Sequence, residues 1–198
     1  MKEKPLTVYR LPLAALLLLV AFVPAFAQEA KPGPADEPGF RLKGIDGKFY
    51  DLSEMRGEVV LVSFGATWCA PCVWELQALE ELRQEYARKP VRFLWVSIEG
   101  KGQTPDGVLR HYAKSFKVSF PVLRDPEWKT FSRFNERGRV PLVVLFDRQG
   151  RFSPPAHRGM STDPIVFKQR MRGLIDALLR GGEGDGAKES SAGANTRE

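Results

Sequence analysis

Cys69 and Cys72 are the only cysteines in this 198-residue chain, and they stand three apart in Trp68-Cys69-Ala70-Pro71-Cys72. Thiols at that spacing can close a small disulfide ring and reopen it, with a thiolate as the nucleophile in both directions. The pair sits where an apolar run, Val59-Val-Leu-Val-Ser-Phe64, hands over to an amphipathic segment beginning near Ala70. A helix N-terminus there offers unpaired N–H groups and a positive dipole end, both of which lower a thiol pKa. Cys69, at the start, is expected to be the exposed attacking sulfur. Cys72, one turn inside, is placed to resolve a mixed disulfide. Pro71 falls in the first turn, where its missing N–H breaks no helical bond, and it stiffens the loop between the sulfurs. As a mere staple the pair is a poor choice, since so short a loop gives roughly 1.9 kcal/mol against about 3 for a fifteen-residue loop. A structural zinc site needs four ligands, and His111 and His157 are the only histidines. Redox exchange between the sulfurs needs no cofactor and no metal.

The elements that position this pair follow from periodicity. Phe40-Arg-Leu-Lys and Lys48-Phe-Tyr-Asp, around Gly44 and Asp46-Gly47, predict a short hairpin. Ser53 is expected to cap a brief helical turn that ends at Gly57. Val59 to Phe64 reads as a central strand covered on both faces. From Ala70 to Arg88, Cys72, Leu76, Leu79, Leu82 and Tyr86 recur at helical spacing, with Glu80, Glu81, Arg83 and Glu85 on the other face. A second buried strand is expected from Val91 to Ile98, a helix from Pro105 to Lys117, a short strand from Phe120 to Leu123 and a short helix from Glu127 to Asn135. Leu142 to Phe146 reads as a strand that turns at Asp147-Arg-Gln-Gly150 into an edge strand. A closing helix is expected from Asp163 to Arg180. Strands alternating with helices predict an α/β domain with a mixed sheet and helices on both faces.

Around this domain, residues 39–180, the composition changes. Lys2, Lys4 and Arg10 precede an uncharged run from Leu11 to Ala27 that ends in Pro24-Ala25-Phe26-Ala27. That is the layout of a signal peptide over residues 1–27, with cleavage after Ala27. The rival reading, an uncleaved anchor, is disfavoured because spanning a bilayer takes about 20 apolar residues. Either way the positive end stays inside and the domain is exported, which places it in the periplasm. Residues 28–38 read as a linker, and residues 181–198, Gly- and Ser-rich with no large apolar side chain, as a disordered tail. The net charge of +6 comes without any block of like charges, so it gives no sign of a nucleic-acid partner. A monomer is the default expectation.

From Phe40 to Gly159 the chain resembles the TlpA/ResA-type thioredoxin-like proteins. The features that carry the resemblance are Phe40-Arg-Leu-Lys with Asp46-Gly47-Lys48, Leu52-Ser53, Arg56-Gly57, Ala66-Thr67-Trp68-Cys69-Ala70-Pro71-Cys72 with Glu75, Val140-Pro141, and Asp147-Arg148-Gln149-Gly150. The resemblance implies a thioredoxin fold with an N-terminal β-hairpin and an inserted helix-strand unit. It also implies reductive work on disulfide-containing envelope proteins, cytochrome c maturation among them, with electrons from an inner-membrane thiol carrier. By the same resemblance Pro141 matches the family's cis-proline facing the cysteines. Val140 is then expected to offer its backbone to a substrate strand beside Ala70 and Pro71. Glu75 matches a family carboxylate near the disulfide; one turn beyond Cys72, it is placed to move protons to or from the resolving thiol, although a first-turn acid facing the helix dipole explains it as well. Trp68 is expected to shield the sulfurs and touch partners, and half-buried packing is the plainer alternative.

The chain departs from the pattern in three places. Ser63 stands where cytosolic thioredoxin has a buried aspartate, Gly65 replaces an aromatic residue, and Trp74 occupies a position more often polar. Trp74 is either an exposed partner anchor or the side chain that refills the space beside Gly65. A peroxidase of the related redoxin group is a rival, but its threonine lies three residues before the sulfur and Thr67 lies two before Cys69. A Cu(I)-binding or delivery protein is the alternative from another class, using the two thiolates with His157 and Met160.

Overall fold

A run of apolar and small residues such as Val59–Gly65 cannot turn one face to water without exposing half its side chains, so it becomes a strand covered on both sides. It forms β3, buried at every position. The computed structural model describes residues 39–135, 137–159 and 163–192, with side chains as far as 181. The expected signal segment, the linker to residue 38, Met160 and residues 193–198 lie outside the described residues. In chain order the elements are β1 (Arg41–Gly44), β2 (Phe49–Asp51), β3, α1 (Ala70–Glu85), β4 (Val91–Ser97), α2 (Asp106–Ser115), β5 (Val122–Arg124), β6 (Leu142–Phe146), β7 (Phe152–Arg158) and α3 (Pro164–Ala192).

The seven strands lie in one sheet in the order β2-β1-β5-β4-β3-β6-β7. β3 pairs with β4 and β4 with β5 in parallel, and the remaining pairs are antiparallel. The parallel pairs need crossovers, which α1 and α2 supply. This is the expected thioredoxin-like arrangement: a mixed sheet, an N-terminal hairpin, and an α2–β5 unit whose strand receives the hairpin, with Lys43 opposite Arg124.

Helical elements flank the sheet unevenly. Leu76, Leu79 and Leu82 of α1, Leu109 of α2, and Phe167, Met171 and Ile175 of α3 all bury against one face with Leu61 and Trp95. The other face, carrying Val60, Val62, Phe64, Val144 and Phe146, is covered by Leu52, Met55 and Phe131, which lie in two 3-10 turns, and by Phe40. Both cysteines belong to this second cluster. Phe64 and Phe131 meet there with ring centroids 5.4 Å apart.

Several boundaries differ from the sequence reading for local reasons. Asp51, not Ser53, caps the first turn, its carboxylate accepting from the Ser53 N–H at 2.9 Å. α1 stops at Glu85 rather than Arg88. The helix expected over 127–135 shrinks to the 3-10 turn Phe131–Arg133, because the Asp125 carboxylate takes the N–H groups of Thr130 and Phe131 and starts the turn late. Glu80 is buried rather than solvent-facing, and accepts from the N–H and hydroxyl of Ser119, tying α1 to the α2–β5 loop. α3 continues past Arg180 to Ala192. Glycines 181 and 182 cost about 1 kcal/mol each relative to alanine in a helix, which weakens it without forbidding it.

Candidate active site

Cys69 and Cys72 are joined as a disulfide, with their Cα atoms 5.3 Å apart. Cys69 is the N-cap of α1, with proline in the first turn and no side chain capping the helix, so both sulfurs stand at the positive end of the helix dipole. The expectation of an exposed attacking sulfur needs correcting, because Cys69 is only 4% exposed and Cys72 1%. The difference still falls in the expected sense. Ala70 and Pro71 lie on the surface between them.

Glu75 is fully buried, and the Ser63 hydroxyl donates to its Oε1 at 2.6 Å. The position that lacks an acid on β3 is therefore linked to one arriving from α1. Gly159, which no sequence argument singled out, makes room for it. A Cβ there would overlap Glu75 Oε2 and lie 2.6 Å from Pro141 Cβ and Cγ. Gly159 also donates its N–H to the Pro141 carbonyl at 3.0 Å. Glu75, Pro141 and Gly159 thus form one packed unit, which joins two of the expected site residues through a third that was missed.

A second buried carboxylate, Glu99, holds the other side of the active-site loop. It accepts from the Thr67 N–H and hydroxyl at 2.8 and 2.7 Å, from Thr104 at 2.8 Å and from Ser97 at 3.1 Å. Burial opposes its ionisation, but these hydrogen bonds outweigh the burial, led by those from Thr67, and hold its carboxyl below the usual range. Arg124 donates to the Glu99 and Thr104 carbonyls and pairs with Asp106, which braces the same corner. Thr67 is therefore turned to Glu99. The signal in the sequence is topological: Glu99 lies two residues past the end of β4, the strand that pairs in parallel with β3, and Ser97 stands opposite Gly65.

The space at Gly65 is filled from the neighbouring strand. A Cβ at 65 would lie 2.7 Å from Trp95 Nε1 and 3.2 Å from Cys72 Sγ. Trp95 is fully buried and stacks on Tyr112 with centroids 5.4 Å apart. Trp74 does not refill that space; it is 60% exposed, and Trp68 is 68% exposed. Two tryptophans thus stand in solvent on either side of the disulfide in sequence, which removes the half-buried packing alternative for Trp68.

The Val140–Pro141 peptide is cis, as the resemblance implied, and so is Pro154–Pro155 on β7, which it did not. Among the described residues, neither the N–H nor the C=O of Val140 has a hydrogen-bond partner. Pro71, Val140, Pro141 and Gly159 line a groove of about 650 Å³. His157 lies elsewhere. It is buried opposite Val143, whose side chain belongs to the helix-covered face, whereas the cysteines belong to the other. Burial, with Arg170 nearby, holds its imidazole below the usual pKa. Among the described residues no group of three His, Cys, Asp or Glu side chains comes together as a metal site.

A buried, disulfide-linked cysteine pair at a helix N-terminus, with a carboxylate one turn behind and a groove in front, is equipped for thiol–disulfide exchange. Comparison with known proteins agrees with this geometry. The chain is 31% identical over 113 residues to the thiol-disulfide oxidoreductase ResA of Geobacillus kaustophilus (strain HTA426), covering 57% of this chain and 62% of that protein. It is 36% identical over 113 residues to the thioredoxin-like protein YneN of Bacillus subtilis (strain 168), covering 57% and 64%. The chain thus spans less than two thirds of the length of these relatives. The crystal structure of the exposed lipoprotein thioredoxin Etrx1 from Streptococcus pneumoniae strain TIGR4 superposes with a TM-score of 0.58 at 27% identity, over 71% of this chain and 99% of that one. A model of the Redoxin family matches residues 24–153, which include the cysteines, Glu75 and Pro141. With that match spanning most of the chain and every strand but part of the last, the chain belongs to the redoxin family.

Proposed function

We propose that this protein is an exported thiol-disulfide oxidoreductase that reduces disulfides in envelope proteins. The observation that carries the proposal is the Cys69–Cys72 disulfide at the α1 N-terminus, beside a Val140 backbone whose polar groups have no partner among the described residues. Kinship with proteins named as thiol-disulfide oxidoreductases adds to it.

In the working direction the Cys69 thiolate attacks one sulfur of a client disulfide and the other leaves as a thiolate, giving a mixed disulfide. Cys72, its proton passed to Glu75, then attacks Cys69 Sγ and expels the second client thiolate. The protein ends as the disulfide, the client gains two electrons, and both client thiolates take up protons. An inner-membrane thiol carrier then returns two electrons by the same exchange run backwards. The client strand pairs with Val140, and Trp68 gives it an exposed aromatic contact beside Cys69. Cytochrome c maturation is the process this reading favours, because reduced cysteines are needed there.

The direction is tested by the reduction potential of the full chain, equilibrated with defined dithiol/disulfide buffers and quantified by mass. A value near about −270 mV supports a reductant, and one towards about −120 mV overturns it in favour of an oxidant. Cys69→Ser should abolish turnover of a disulfide client. Turnover that survives this change overturns the exchange mechanism altogether.

A further inference from the structure

The groove in front of Pro141 carries a charge pattern that its redox role does not require. Besides Pro71, Val140 and Pro141 it is lined by Arg133, Arg137, Arg139 and Arg158. All four side chains are exposed. Arg133 donates to the Gly39 carbonyl at 2.7 Å. The guanidinium groups of Arg137, Arg139 and Arg158 make no ion pair or hydrogen bond among the described residues, and the backbones of Arg137 and Arg139 bond to the Asn135 side chain. Arg92, Arg124 and Arg151, by contrast, are each tied to a carboxylate.

No carboxylate lines the groove among the described residues. Glu75 lies behind Gly159 and is fully buried. In sequence, Glu136 is the one acid between Arg133 and Arg139. A cleft lined by charges of one sign raises the local concentration of ligands of the other sign and speeds their association. Guanidinium forks in particular match carboxylates in a two-pronged geometry. Phe134, Leu142 and Ala156 supply apolar wall between the arginines, so the groove fits an extended peptide rather than a small anion.

We propose that this groove selects client segments in which Asp or Glu residues flank the disulfide-bonded cysteine. The segment would pair with Val140 while its carboxylates engage Arg137, Arg139 and Arg158. The proposal rests on the redox reading of Cys69 and Cys72 and names the substrate class for it.

The test uses the reduced full chain and three probes: two synthetic disulfide peptides differing only in Asp or Lys at the positions flanking the cysteine, and a small uncharged aromatic disulfide. At low salt the acidic peptide should be reduced roughly tenfold faster than the basic one, and the ratio should fall towards one in high salt as the charges are screened. Arg137→Glu combined with Arg139→Glu should reverse the preference, and Arg158→Glu alone should reduce it. Equal rates at low salt, or a faster basic peptide, overturn the proposal when the uncharged disulfide is reduced normally. Failure to reduce any of the three overturns the redox reading and the proposal with it. A preference that survives high salt and the arginine substitutions also overturns it, since charge is then not its source.

Discussion

Two buried carboxylates flank the disulfide, and they are built differently. Glu99 sits beneath the loop before Cys69 and takes donors from Thr67, Ser97 and Thr104, an arrangement that holds it ionised and pins the loop. Glu75 sits on the helix behind Cys72, takes the Ser63 hydroxyl, and packs against a glycine that lines the groove. A carboxylate surrounded by donors gains stability from its charge and has little reason to accept a proton. Glu75, a turn from a sulfur and with its Oε2 packed against Gly159 of the groove wall, is the group that the proposed mechanism uses to exchange protons as the sulfur changes state. Under the proposed exchange mechanism the same functional group would serve as a fastener on one side and as a proton carrier on the other.

The largest effect that would separate the two is expected from Glu75→Gln. Loss of a positioned acid–base group should slow resolution of the mixed disulfide on the order of a hundredfold, measured by rapid quench across pH, with the slowing greatest where the carboxylate is ionised. An unchanged rate would make Glu75 a second fastener. Glu99→Gln should do the opposite, costing about 2–3 kcal/mol in denaturant unfolding because buried donors lose a charged acceptor, while resolution in the folded protein keeps its rate. Gly159→Ala tests the packing of Glu75 by forcing a methyl group into its Oε2 and Pro141. It should cost on the order of 1–3 kcal/mol and slow resolution with it.

The smallest effect is a pH limb. Because the folded pKa of Glu99 lies below its ordinary value of 4.5, its contribution is complete above 4.5 and is lost as pH falls through the lower folded value. Thermal melts of the native protein should therefore steepen below that point relative to those of Glu99→Gln. Parallel acid limbs in the two proteins would show that Glu99 does not carry this linkage.

What could be read from the sequence follows a physical divide. β3, α1, the cysteine pair and β6 announce themselves because each is specified by residues adjacent in the chain: an apolar run, a 3.6-residue stripe, a proline in a first turn. Glu99, Gly159 and Trp95 were illegible because each acquires its role from a partner across the sheet or under a helix. Trp95 matters only once Ser63 is found opposite it and Gly65 two residues on. Gly159 matters only once it meets Pro141 and Glu75. Glu80 looked like part of a solvated face for the same reason, since Ser119 reaches it from 39 residues away. The choice left open for Trp74 was settled by an aromatic ring on another strand, which no pattern within α1 encodes.

The two rims of the sheet carry a consequence for solubility. β2 is three residues long, and β7 holds exposed Pro154 and Pro155 at the register shift between Val143 and Leu145. Prolines have no N–H to donate, and a strand so short offers few. Neither rim presents an uninterrupted row of donors to a strand from another molecule, so fibril growth by rim-to-rim stacking finds little template. A disulfide reductase of the kind proposed would meet many stray strands, and margins of this shape would leave them unpaired.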